Sequence, residues 1–181
     1  RGIVIGTTGL NEEQLEIARN ASSSCALVLA PNTSPGVSVL FELVRDAARA
    51  LGDDFDVEIV EAHHRRKKDA PSGTAARLAE IVCGESGANV SDSLTHGRAG
   101  ATGPRPPREV GVHSIRGGEI VGRHDVMFVS EFEELTLSHG ALSRDAFARG
   151  AVLAARFVAH AEPGLYGMSD VLGLSRARGE R

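Results

Sequence analysis

The densest chemistry in the sequence runs from Glu61 to Thr74, which reads Glu-Ala-His-His-Arg-Arg-Lys-Lys-Asp-Ala-Pro-Ser-Gly-Thr. Two imidazoles stand beside a run of cations, Arg65 to Lys68, and these side chains cannot all be buried without a large cost. A solvated basic loop is therefore one reading. Ser72-Gly73-Thr74 points elsewhere, because it sets a small backbone at the start of a predicted helix, where N–H groups and the helix dipole attract an anion. His63 and His64 lie just upstream, within reach of the same space. The combination describes a basic pocket for a small carboxylate, furnished with groups able to carry a proton. Nucleic acid would call for interleaved aromatic residues, and this stretch has none.

Two turns make weaker candidates. Gly6-Thr7-Thr8-Gly9 follows an apolar segment at the start of a strand–helix–strand unit, and Ala30-Pro31-Asn32 closes the neighbouring strand. Ligands in open α/β sheets bind at the carboxyl ends of the strands, which makes both turns candidates for cofactor contact. His96, His113, His124, His139 and His160 are scattered without metal-ligand spacing and read as structural or surface residues, so no metal is expected. Cys25 and Cys83 form no CxxC pair and have no local activating partner. Nucleophile elbow, Walker loop and HExxH patterns are absent.

The elements that must position these residues follow from periodicity. Gly2 to Ile5 reads as a buried strand, Asn11 with Gln14 as a capping box for a helix burying Leu15 and Ala18, and Ala26 to Ala30 as a strand covered on both faces. That spacing predicts a parallel βαβ unit. A buried strand needs neighbours and none lies upstream, so the sequence is expected to be a fragment lacking an N-terminal portion. Val37, Leu40, Phe41, Val44, Ala48 and Leu51 mark one face of a long helix, stopped at Gly52-Asp53-Asp54. Phe55 to Glu61 reads as the strand that delivers the His63–Thr74 segment, with Ala75, Leu78, Ala79 and Val82 on the helix after it. Residues 84–109, rich in Gly, Pro, Ser and Arg, read as an irregular excursion. Strands are expected over Val110–Arg116, Glu119–Val129 and Glu134–His139, the last half-buried and antiparallel. Ser143 should cap a helix presenting Phe147, Ala151, Ala154 and Val158, and Gly164 to Leu174 is an apolar tail that must dock.

Composition narrows the function classes. The chain has 181 residues, 24 acidic and 20 basic, for a formal charge of −4. That balance argues against a surface built to grip nucleic acid or an anionic membrane. No apolar run approaches the roughly 20 residues of a membrane span, and the sparse cysteines suit a reducing cytoplasm.

The stretch Glu61 to Ala75, EAHHRRKKDAPSGTA, resembles the signature E-x-H-H-x-x-K-x-D-A-P-S-G-T-A of the 4-hydroxy-tetrahydrodipicolinate reductase (dihydrodipicolinate reductase) family at every fixed position. Matches continue at Val4–Gly9, Ala30–Leu40, His96–Pro106, His113–Gly122, Ser143–Ala151 and Gly164–Leu174. The resemblance implies an α/β enzyme with a partial Rossmann-type dinucleotide-binding domain, residues 1–34 and 144–181. A substrate domain with a mixed sheet, residues 35–143, would also mediate homotetramer assembly. It further implies NADH- or NADPH-dependent reduction of a cyclic dicarboxylate in lysine and diaminopimelate synthesis, in the cytoplasm. Carried over by motif position, His63 and Lys67 are the acid/base pair, with Lys67 the proton donor. His64, Gly73 and Thr74 hold substrate carboxylates, and Gly6, Thr7, Thr8, Ala30, Pro31, Asn32 and Thr33 line the nicotinamide. Rival readings are another two-domain dehydrogenase of amino-acid metabolism, disfavoured by the HHxxK and DAPSGT pairing, and a non-catalytic anion- or nucleic-acid-binding module using residues 65–68.

Overall fold

The computed structural model describes residues 2–174; Arg1 and residues 175–181, assigned above to the dinucleotide-binding domain, lie outside the described residues. The chain divides into two compact units, one running to Val39 and resuming at Ser143, the other spanning Leu40–Leu142.

In the first unit, β1 (Ile3–Ile5), α1 (Glu12–Ala21) and β2 (Ala26–Leu29) form a βαβ unit whose strands pair in parallel, Ile3 opposite Leu27. Asn11 caps α1 as expected, its Oδ1 accepting the Gln14 N–H at 2.9 Å while Gln14 reaches back to the Asn11 N–H. Ala26, Leu27 and Val28 are buried. The expectation of a buried first strand is corrected: Ile3 is 42% exposed, because among the described residues β1 pairs with β2 alone.

The docking place of the C-terminal tail is the far side of that same sheet. β8 (Gly164–Tyr166) pairs in parallel with β2, giving the order β1-β2-β8, and α6 (Met168–Val171) buries Met168 in the unit's core. That core also takes Ala154 and Val158 of α5 (Asp145–Val158). Helix α5 starts later than expected; Arg144 is its N-cap, and the Ser143 hydroxyl accepts the Asp145 N–H at 3.1 Å. Gly150 of α5 lies against the carbonyl of Thr33 so closely that a Cβ would sit 1.7 Å from that oxygen.

Helix α2 (Pro35–Leu51) begins in the first unit and continues in the second, ending in a short 3-10 turn, Gly52–Asp54. In the second unit, β3 (Asp56–His63) leads through a polar loop to α3 (Gly73–Ser86), followed by α4 (Val90–Ser93), β4 (Leu94–Thr95), β5 (Val110–Arg116), β6 (Gly122–Val129) and β7 (Glu134–Ala141). The strands form one mixed sheet, β4-β5-β3-β6-β7, with β4, β5 and β3 parallel and β6 and β7 antiparallel.

Several boundaries move. β3 reaches His63 rather than stopping at Glu61, because its ladder with β5 continues to the His63–Arg116 pair. β6 begins at Gly122, since Gly118, with φ at +47°, turns the chain between β5 and β6. The stretch 84–109 is only partly irregular: α3 runs to Ser86, ends on Gly87 with φ at +67°, and is followed by α4 and β4. The rest is pinned to the sheet by Arg98 and Arg105, with Arg98 bonding Glu58 at 2.8 Å. β7 is antiparallel as expected but shallowly buried, with Leu135 40% exposed at the sheet edge.

One face of this sheet carries the unit's core. Alternation sends Val57, Ile59, Glu61 and His63 of β3 to the same side. Val57 and Ile59 oppose Phe128 and Val126 of β6 and pack under Leu40, Val44, Ala75, Leu78, Ala79 and Val82 of the two helices. Toward the start of α3 the next row turns polar: Ser114, Glu61, His124 and His139 are registered across β5, β3, β6 and β7. The apolar rows fix where that polar row must stand.

Candidate active site

Glu61 is the centre of the polar row and is fully buried. A buried carboxylate survives only with full compensation. Here the Arg116 guanidinium binds it with two bonds of 2.7 and 2.8 Å, the Ser72 N–H donates at 3.1 Å, and His63 Nδ1 lies at 2.5 Å. Burial alone would raise the Glu61 pKa; the bonds from Arg116, Ser114 and His63 overcome it and hold the group at about 2.

That carboxylate fixes the state of His63. Only a donor can face it, so His63 carries a proton on Nδ1 and turns Nε2 away from Glu61. Burial pushes the His63 pKa down, and the opposing pull of Glu61 does not restore it. Space for the ring comes from across the sheet, where a Cβ on Gly122 would lie 3.1 Å from His63 Nε2.

The loop after β3 is braced at its start. Gly117 N–H donates to the His63 carbonyl at 2.9 Å, Arg65 N–H to the Gly118 carbonyl at 3.1 Å, and Lys67 N–H to the His64 carbonyl at 3.1 Å. Arg116 also donates to the Asp69 carbonyl at 2.7 Å, tying down the loop's far end. Lys67 is largely shielded, and its ammonium contacts both Asp69 oxygens at 2.8 Å, which pulls the Asp69 pKa below its usual value. His64 is half-buried, and its Nδ1 finds no hydrogen-bond partner among the described residues. The basic run is thus partly spent, since Arg66 is held by Glu119 through two bonds of 2.6 Å.

Ser72 caps α3, its hydroxyl accepting the Ala75 N–H at 3.2 Å. Gly73 and Thr74 form the first turn, at the positive end of the helix dipole. Gly73 is exposed, with nothing within 4 Å of the position a Cβ would take. His63 at the end of β3 is thus tied through Glu61 to Ser72 at the start of α3, with His64 and Lys67 on the loop between them and Gly73 and Thr74 in the turn that follows. The sequence reading missed Arg116 and His124 as members of this cluster, gave Glu61 no role, and took Ser72 only as part of the helix-start backbone. His124 had a signal: it is in phase with Val126 and Phe128 along β6, a polar residue on an apolar face. Arg116 had none, because only the β3–β5 register brings it to Glu61.

The remaining predicted residues lie in the first unit. Gly6, Thr7 and Thr8 are exposed in the turn after β1, and Ala30 and Pro31 follow β2 beside them, with the Ala30 N–H donating to the Ile5 carbonyl at 2.9 Å. Asn32 Oδ1 accepts the Ser34 N–H at 2.9 Å, and the Thr33 hydroxyl donates to the Phe147 carbonyl at 2.7 Å. Thr33 thus spends its side chain on α5 and packs its carbonyl against Gly150 of the same helix. Two adjacent strand ends with exposed glycine and small side chains suit one end of a dinucleotide. Among the described residues no cluster of His, Cys, Asp and Glu could hold a metal ion. No described helix is long and apolar enough to cross a membrane.

Comparison with known proteins fits this geometry. Residues 36–172 match the family described as "Dihydrodipicolinate reductase, C-terminus". The chain is 53% identical over 176 residues to a 4-hydroxy-tetrahydrodipicolinate reductase of an Anaeromyxobacter species, covering 97% of this chain and 66% of that protein. It is 51% identical to the reductase of the same name from Syntrophobacter fumaroxidans, covering 96% of this chain and 65% of the relative. A solved structure of dipicolinate-bound dihydrodipicolinate reductase from a Paenisporosarcina species superposes with a TM-score of 0.69 at 27% identity, over 92% of this chain and 62% of that one. The chain spans about two thirds of the length of the curated relatives it matches.

Proposed function

The chain belongs to the dihydrodipicolinate reductase family, and from that premise we propose that its protein reduces 4-hydroxy-tetrahydrodipicolinate to tetrahydrodipicolinate with NADH or NADPH. The observation that supports this reading is a buried, fully bonded Glu61 that ties His63 at the end of β3 to Ser72 at the start of α3, with His64 and Lys67 on the loop between.

The substrate is a ring bearing two carboxylates. The positive end of α3 at Gly73 and Thr74, with His64, orients one or both of them, and the fixed charge of Lys67 adds attraction. Overall, a hydride and a proton enter the ring and one water leaves. Nicotinamide, when bound, supplies the hydride. Lys67 supplies the proton, and Asp69 holds its ammonium in place until substrate arrives. His63, fixed by Glu61 in one tautomer, offers Nε2 as a neutral hydrogen-bonding group rather than a second charge. Gly6 to Thr8 and Ala30 to Thr33 are the residues that would hold the nicotinamide end of the cofactor.

Within the same reading, Leu40–Leu142 binds substrate and assembles the protein as a cytoplasmic homotetramer. Phe132 and Leu142, 93% and 97% exposed at the two ends of β7, supply apolar surface for such assembly. The test is oxidation of NADH and NADPH by the protein carrying this chain, with substrate generated enzymatically from pyruvate and aspartate semialdehyde. Absorbance loss no faster than in a control without the semialdehyde would sink the proposal.

A further inference from the structure

His124 is 3% exposed, in the polar row between Glu61 and His139. An apolar residue would fill that position at lower cost, so the imidazole must be retained for its nitrogens. Nε2 lies 3.1 Å from the Ser72 hydroxyl, the cap of α3. That hydroxyl already accepts the Ala75 N–H, so its own proton is available to Nε2. The Ser72 N–H meanwhile donates to Glu61, which leaves the cap residue held at both backbone and side chain by the buried row. The His124 ring also packs edge-on against His63, with centroids 5.2 Å apart at 73°. Its Nδ1 has no hydrogen-bond partner among the described residues.

We infer that His124 is a positioning residue for the carboxylate cradle: its bond to Ser72 fixes the first turn of α3, and with it the amides of Gly73 and Thr74. This role rests on the substrate reading given above. His124 Nε2 and the Ser72 hydroxyl share one proton in this bond, and burial, foremost, with the nearby His63, lowers the His124 pKa to about 4, so the ring that makes it is neutral at neutral pH.

The test uses the protein carrying this chain, with dipicolinate as a binding probe and steady-state kinetics alongside. His124→Phe keeps the ring edge against His63 and removes the acceptor. It is expected to raise the dipicolinate Kd and the substrate KM about tenfold, the scale of one lost buried hydrogen bond, while kcat changes less than about threefold. His124→Gln, which can still bond the Ser72 hydroxyl, should restore most of the affinity. Ser72→Ala, which also loses the cap to the Ala75 N–H, should be at least as impaired as His124→Phe, and adding His124→Phe to it should cost nothing further, because the shared bond is already gone. Additive losses, unchanged affinity in His124→Phe, or equal loss in His124→Gln would each overturn the role. Where His124→Phe does not fold, His124→Asn, too short to reach the Ser72 hydroxyl, decides: a KM raised about tenfold supports the role and an unchanged KM overturns it. Failure of the unsubstituted protein to bind dipicolinate would instead remove the substrate reading, and this role with it.

Discussion

His63 donates its Nδ1 proton to a carboxylate that is itself saturated by Arg116 and the Ser72 amide. Loss of the proton source and loss of the neutral imidazole should therefore show as chemistry rather than as unfolding. Lys67→Ala and His63→Ala are each expected to lower kcat at least about 100-fold, measured as cofactor oxidation, with thermal midpoints little changed for the partly exposed lysine. Glu61→Ala is a different case. It strands the Arg116 guanidinium and the His63 Nδ1 proton, and removing one partner of a buried charge pair costs about 3–5 kcal/mol. Chemical denaturation should show that loss as a lower midpoint at unchanged slope. The proposed reacting groups could be named from the sequence because the signature is contiguous. Arg116 was not, since it lies 55 positions from Glu61 and meets it only through strand register.

Elements place these side chains through two close approaches. Gly122 on β6 gives the His63 ring its room, so Gly122→Ala must push the imidazole by a few tenths of an ångström. A several-fold fall in kcat with little change in stability is expected, because reaction geometry is less forgiving than packing. Gly150 on α5 admits the Thr33 carbonyl in the same way, far more tightly. Gly150→Ala should destabilise the protein by about 1–3 kcal/mol, the usual cost of overpacking, and lower the thermal midpoint. Strand and helix identities were legible wherever alternation or helical spacing was unbroken, as in β2, α2 and β5. Ends were not: β3 gains two residues because β5 supplies ladder partners, and α4 with β4 emerges from a stretch whose glycines and prolines concealed it. The C-terminal tail read only as apolar; that it is the third parallel strand is a tertiary fact.

For the molecule as a whole, the polar row makes stability depend on pH in one direction. Burial lowers the pKa values of His63, His124 and His139, His124 to about 4 against 6.5 when unfolded. Between these values the unfolded chain binds protons that the native one refuses, so stability is full above about 6.5 and falls as the pH drops toward 4. Glu58 and Glu61, held at about 2 against burial by their cationic partners, extend the loss below 4.5. Denaturation midpoints should decline continuously from neutral pH into acid, and His124→Gln should flatten the upper part of that decline; a flat profile between pH 7 and 4 would contradict the assignment. The division of the chain has a consequence for its birth on the ribosome. Leu40–Leu142 is one uninterrupted stretch and can condense as soon as it has been translated. The parallel sheet around β2 must wait, its inner strand half-paired, until Gly164–Tyr166 leaves the exit tunnel. Nascent chains that expose residue 142 but not residue 164 should accordingly resist protease in the middle segment while β1 and β2 are still cleaved.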